Sequence, residues 1–209
     1  MFRSIFNPDN ALMITVTQIT DCIFLSLFWL LGCFPVVTAG ASTAALYDAV
    51  WRGFRKGEKH TWGRFLYAFR RNLKSGLIPS VIFLAGAALL LRGMILVWNQ
   101  AVYGNVSWAV FAAAAFGALL VAGIGSILFP MLSRFENSMA ALFANTVRLG
   151  LAHLPLTLGL GFLNAVTIWL CALYVVPLVF LPALSALIST LFIEPMFRPY
   201  MPEDEKDAA

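Results

Sequence analysis

The chain has 209 residues, of which 61% are hydrophobic and only 11% charged, with a net charge of +4. A soluble domain is about one quarter charged, so a water-covered globule is excluded and the apolar excess has to face lipid. The small positive excess fits basic segments retained on one side of a membrane and does not call for a nucleic-acid partner.

Apolar runs near the 20-residue length of a bilayer crossing recur along the chain. They predict an all-α polytopic transmembrane bundle in one membrane domain, residues 1–201, followed by a short acidic disordered tail, 202–209. The first span is expected over 11–37. Asp9 and Asp21 and the length of the leader argue against a cleaved signal peptide, so the run reads as a permanent span. Residues 43–55 follow as an amphipathic stretch, with Leu46, Val50 and Phe54 on one face. Thr61 is positioned to cap a second amphipathic helix, 62–75. Trp62, Phe65, Phe69 and Leu73 form its apolar stripe, and Arg64, Arg70, Arg71 and Lys74 make it basic. Such a helix lies on anionic headgroups or docks a partner, and headgroup contact alone accounts for its composition.

Further spans are expected over 77–98, 107–132, 153–176 and 177–193. The third is rich in small residues, including Ala114, Ala118 and Ala122 and the run from Gly123 to Ser126, which let helix backbones approach closely. Ser133 and Glu136 have capping-box spacing, and an interfacial helix over 134–151 follows.

Eight lysines and arginines crowd the segment between the first two spans, and none lies in the loop 99–106. Lysine and arginine mark the cytoplasmic side. Five spans therefore place the N-terminus outside and the C-terminus inside. If residues 36–53 cross instead, there are six spans with both ends inside. Asp48 and Arg52 would be costly within lipid and favour five.

The block from Phe34 to Thr38 is echoed from Phe129 to Ser133. Ala44-Ala45-Leu46-Tyr47 is echoed by Ala140-Ala141-Leu142-Phe143. The echo reads either as a parallel internal repeat or as chance matching among apolar residues. The first block, the basic aromatic segment from Phe65 to Lys74, and Phe129-Pro130 with Arg134-Phe135-Glu136 resemble the YesL-like family of bacterial membrane proteins, a family of unknown function. The resemblance implies a small multi-pass protein of the bacterial cytoplasmic membrane, associated with carbohydrate uptake. It carries no catalytic residues.

Candidate chemistry is sparse. Cys22, Cys33 and Cys171 form no CxxC pair, and His60 and His153 lack metal-ligand spacing, so no metal site or cofactor is expected. The glycines at 123 and 125 are followed by no lysine, as a nucleotide loop would require. Ser126 and His153 lack a third group for nucleophilic catalysis. Neither cytoplasmic helix carries the Glu-Ala-Ala…Gly pattern of an ATP-driven permease.

Two intramembrane charges stand out. Asp21 lies fourteen residues before Pro35, and Arg92 fourteen after Ile78. Each is about 21 Å from the inner boundary. Matched depth makes them a candidate structural ion pair, with separate snorkelling as the alternative. The expected function is a non-enzymatic accessory of solute transport, with the lipid bilayer and a transporter subunit or another cytoplasmic-face protein as partners. The alternative is a membrane-embedded scaffold or regulator with no transported solute.

Overall fold

The computed structural model describes residues 11–58, 60–104, 106–136 and 138–201; the acidic tail expected over 202–209 lies outside the described residues. Among the described residues there are eight α-helices and no strand: α1 (Ala11–Cys33), α2 (Ala39–Val50), α3 (Thr61–Val102), α4 (Trp108–Arg134), α5 (Met139–Ala152), α6 (Leu154–Leu173), α7 (Val175–Leu178) and α8 (Leu181–Phe197). Five of these, α1, α3, α4, α6 and α8, are long and apolar enough to cross a membrane. Their outward faces are apolar, with Leu31, Leu89, Leu91 and Ile168 all more than 60% exposed. No water-soluble surface is built this way. The chain is a multi-pass helical membrane protein.

The stretch expected to lie along the interface is instead the centre of the bundle. From Gly40 to Trp51 every residue of α2 and its continuation is buried except Thr43, which is half-buried. The reason is size. Ala41, Ser42, Ala44, Ala45 and Ala49 leave no bulk on any side of the helix, so α1, α3, α4 and α8 all pack on it. An apolar stripe counted from the large residues alone hides this. Beyond Val50 the chain winds on as a π-helix, Trp51–Arg55.

The second expected interfacial helix is not a separate element. Residues 62–75 are the first third of α3, which runs unbroken for 42 residues, or about 63 Å. That is twice the roughly 30 Å of bilayer hydrocarbon. Pro79 lies within the helix without ending it. Thr61 does not cap α3 but begins it, after His60 in the left-handed region (φ 67°). The buried face of this segment is Thr61, Phe65, Ala68, Asn72 and Gly76, against α2. Trp62, expected on the apolar stripe, is 51% exposed.

The remaining elements follow the expected order. Helix α4 continues through Pro130 to Arg134, so the proposed cap at Ser133 falls inside a helix, where its hydroxyl donates to the Pro130 carbonyl. The cap of α5 is Ser138, whose Oγ accepts from the Ala141 N–H. Helix α5 buries Leu142, Thr146, Leu149 and Gly150, one face at helical spacing, and leaves Arg148 exposed. A long helix, a short helix and a long helix occur twice in succession, as α1–α2–α3 and α4–α5–α6. The echoed blocks differ locally: Pro35 follows the end of α1, whereas Pro130 sits within α4.

Gly40, just past the first block, meets Phe129 of the second. Gly40 donates its N–H to Ser80 Oγ at 3.0 Å. A Cβ placed on Gly40 would collide with the Phe129 ring and with the Ser80 hydroxyl. Gly123 lies similarly against the Thr157 carbonyl, which lets α4 and α6 meet backbone to backbone. Gly86 has open space beside it. Gly40→Ala is therefore expected to lower stability in detergent by about 1–3 kcal/mol through overpacking, and Gly86→Ala to leave it unchanged. Thermal melts of the two variants check this.

Candidate functional site

The last turns of α2 hold an ion cluster inside the bundle. Asp48 is 1% exposed, and its carboxylate lies 2.6 Å from Arg64 Nε and 3.3 Å from Arg52 Nε. Arg52 reaches on to Glu58 at 3.1 Å. One residue earlier, Tyr47 donates its hydroxyl to Glu194 of α8 at 2.8 Å. The other oxygen of Glu194 faces Arg134 of α4 at 3.4 Å. The Arg134 guanidinium lies 3.7 Å from the centre of the Trp51 ring, and Lys56 stands 4.3 Å from the same ring. A ring face attracts cations, and more strongly when they are desolvated. Burial holds the Tyr47 hydroxyl well above its ordinary pKa, reinforced by the neighbouring Glu194 charge. It remains a proton donor to that carboxylate across the physiological range.

Beside this cluster lies a cavity of about 320 Å³. Tyr47 belongs to both. Aromatic rings from Trp29, Phe83 and Phe129 form part of the wall, and the hydroxyls of Thr43, Ser126, Thr167, Ser185 and Ser189 with the Asn164 amide supply its polar atoms. Asn164 donates to Ser126 across the α4–α6 contact. Ser126 is thus engaged with Asn164 and the Ala122 carbonyl. His153 sits at the junction of α5 and α6, its carbonyl accepting from the Thr157 N–H.

The expected pair of Asp21 and Arg92 does not form. Asp21 is half-buried on α1, and Arg92 is exposed on α3 beside Ala88, Leu91 and Ile95. No ion pair joins them among the described residues. Equal depth is not adjacency. Helix α1 meets α3 where Phe28 stacks on Phe65 and Gly32 approaches Phe69. Arg92 lies 23 residues beyond Phe69, about 35 Å along the helix.

The four basic residues singled out on residues 62–75 divide into two kinds. Arg64 is drawn inward to Asp48. Arg71 donates to the Ser133 carbonyl at 2.7 Å, satisfying one of the open carbonyls at the end of α4. Arg70 and Lys74 are exposed, alongside Trp62 and Tyr67. Sequence reasoning missed Glu194, Tyr47 and Trp51. Glu194 carried a signal: it is an acidic residue inside an apolar run, which calls for a partner.

Residues 22–94 match the model of a family described as a protein of unknown function, DUF624. The match takes in about half of α1, all of α2 and most of α3, less than half of the chain. No curated protein and no solved structure matches it.

Both partners of the Glu194–Arg134 pair are less than 5% exposed. Removing one strands the other. Arg134→Met is expected to cost about 3–5 kcal/mol of stability. Arg134→Met combined with Glu194→Met should recover much of that loss, measured as melting in detergent. A single variant as stable as the parent would mean that the pair is not closed.

Proposed function

We propose that this protein is a non-enzymatic accessory component of solute transport in a bacterial cytoplasmic membrane, and that it docks a transporter's cytoplasmic subunit through the basic first third of α3. The lysine and arginine asymmetry supports the orientation: the basic end is cytoplasmic, the N-terminus is outside and the C-terminus is cytoplasmic. Carbohydrate as the solute class rests on the resemblance to the YesL-like family alone.

The continuity of α3 is what carries the docking reading. The first third of α3 is continuous with a crossing helix and packs on α2, which supports a reading other than a separate helix laid among headgroups. The first fifteen residues of α3 extend about 22 Å along the axis. With Arg64 engaged by Asp48 and Arg71 by the Ser133 carbonyl, the exposed Trp62, Tyr67, Arg70 and Lys74 are left facing away from α2. Aromatic and arginine side chains are enriched at protein interfaces.

A photo-crosslinking residue at Trp62 or Tyr67, activated in native membranes, tests this. The expected product is a cytoplasmic transporter subunit, lost when Arg70→Glu and Lys74→Glu are combined. Products with lipid alone would overturn docking. Products with proteins outside transport would favour the scaffold reading.

A further inference from the structure

We propose that the groove between the ends of α4 and α8 and the second half of α5 seats one anionic phospholipid, with its phosphate on Arg148. The proposal goes beyond the docking reading and does not rest on it.

The position sets the surroundings. The groove is lined by Met131 near the end of α4, by Asn145, Arg148 and Leu149 of α5, and by Phe197 and Tyr200 at and just past the end of α8. Arg71 donates to the Ser133 carbonyl, so this end of α4 is level with the basic first third of α3. Lysine and arginine gather on the cytoplasmic side, and the leaflet on that side carries the anionic lipids. Val147 and Leu151 are exposed to either side of Arg148 along α5. A cation among exposed apolar side chains belongs at the boundary between headgroups and acyl chains, not in open water.

The shape sets the class of guest. The floor, Met131, Leu149 and Phe197, is buried and apolar. The rim, Asn145, Arg148 and Tyr200, is exposed and polar. An apolar trough with a cationic lip matches a lipid, which is apolar at one end and charged at the other. A soluble anion would leave the floor uncovered. The volume is about 500 Å³. At roughly 30 Å³ per water-sized group, it takes on the order of fifteen non-hydrogen atoms. That is a phosphate with its glycerol and the first carbons of a chain, the rest of the chains staying in the bilayer.

The charge sets the headgroup. Arg64 and Arg134 are engaged by carboxylates and Arg71 by a carbonyl. No ion pair engages Arg148 among the described residues, and no carboxylate lines the groove. Its charge is therefore left for a guest, and a guanidinium can meet two phosphate oxygens at once. The Asn145 amide and the Tyr200 hydroxyl add donors at the same rim. A zwitterionic lipid brings its own ammonium beside the phosphate and gains less.

The test is native mass spectrometry of the purified full chain in detergent, with phosphatidylglycerol or phosphatidylethanolamine carrying the same acyl chains. Phosphatidylglycerol is expected to be retained about fivefold better, the equivalent of about 1 kcal/mol. Arg148→Gln should bring it down to the phosphatidylethanolamine level. Ala152→Trp, at an exposed lining position, fills the trough without touching its charge and should lower retention of both lipids. Arg70→Gln, an exposed arginine outside the groove, should change neither. Equal retention of the two lipids, or a loss in Arg70→Gln as large as in Arg148→Gln, would mean diffuse attraction and overturn the proposal. Displacement of phosphatidylglycerol by glycerol 3-phosphate would make a free phosphate ester the ligand and overturn it too. The sequence past Tyr200 offers a competitor in Glu203, Asp204 and Glu205. If phosphatidylglycerol is retained only once Glu203→Gln, Asp204→Asn and Glu205→Gln are combined, the groove belongs to the chain's own tail and the proposal fails. Arg148 is exposed, so Arg148→Gln should melt with the parent; if it does not fold, the two-lipid comparison on the parent decides. Retention is read with no transporter subunit present, so its failure leaves the docking reading standing.

Discussion

A helix enclosed on every side has no water to screen its charges, and α2 carries Asp48 in its last turn at 1% exposure. Such a charge persists when opposite charges and hydrogen-bond donors surround it. Arg52 and Arg64 do so from the same helix and from α3. Tyr47, one position earlier, extends the arrangement to Glu194 and through it to Arg134 and Trp51. Four elements are thereby tied to the end of α2. The basic first third of α3 follows from that requirement: part of its charge is the counter-charge of a buried carboxylate.

The small residues of α2 set the rest. Because Gly40 and Ala41 are small, α3 and α4 close on the helix through Ser80, Gly76 and Phe129. The cavity lies where α2 presents Ala39, Gly40, Thr43, Leu46 and Tyr47 toward α4, α6 and α8. Packing that brings backbones together at glycine leaves room next to it. The polar wall and the ion cluster are two consequences of one short, narrow helix held inside longer ones.

Much of this was legible in the sequence. The apolar runs give the helical bundle and its five long apolar helices, though α3 begins at Thr61 and not at 77, because lipid demands length and composition that little else mimics. The run Gly123 to Ser126 reads correctly as close packing, since it lacks the lysine a nucleotide loop needs. What was not legible is adjacency. Asp21 and Arg92 match in depth and sit on helices that meet at the wrong level. Residues 62–75 carry a genuine amphipathic pattern, but nothing in that pattern distinguishes a lipid surface from the side of α2. The position of α2 itself escaped because periodicity weighs large side chains, and its alanines and serine mark burial by being small. The partners of Glu194 come from positions 47 and 134, and only the fold brings them together.

Burial of α2 on all sides is most directly tested by scanning single cysteines through residues 40–50 on a cysteine-free background and reading their reaction with a water-soluble and a lipid-soluble thiol reagent. A central helix protects Ala41, Ser42, Ala44, Ala45, Ala49 and Val50, which lie away from the cavity, from both reagents. Labelling that rises and falls every three to four residues, by the aqueous reagent on one face and the lipid-soluble one on the other, would place α2 on the membrane surface and contradict the account.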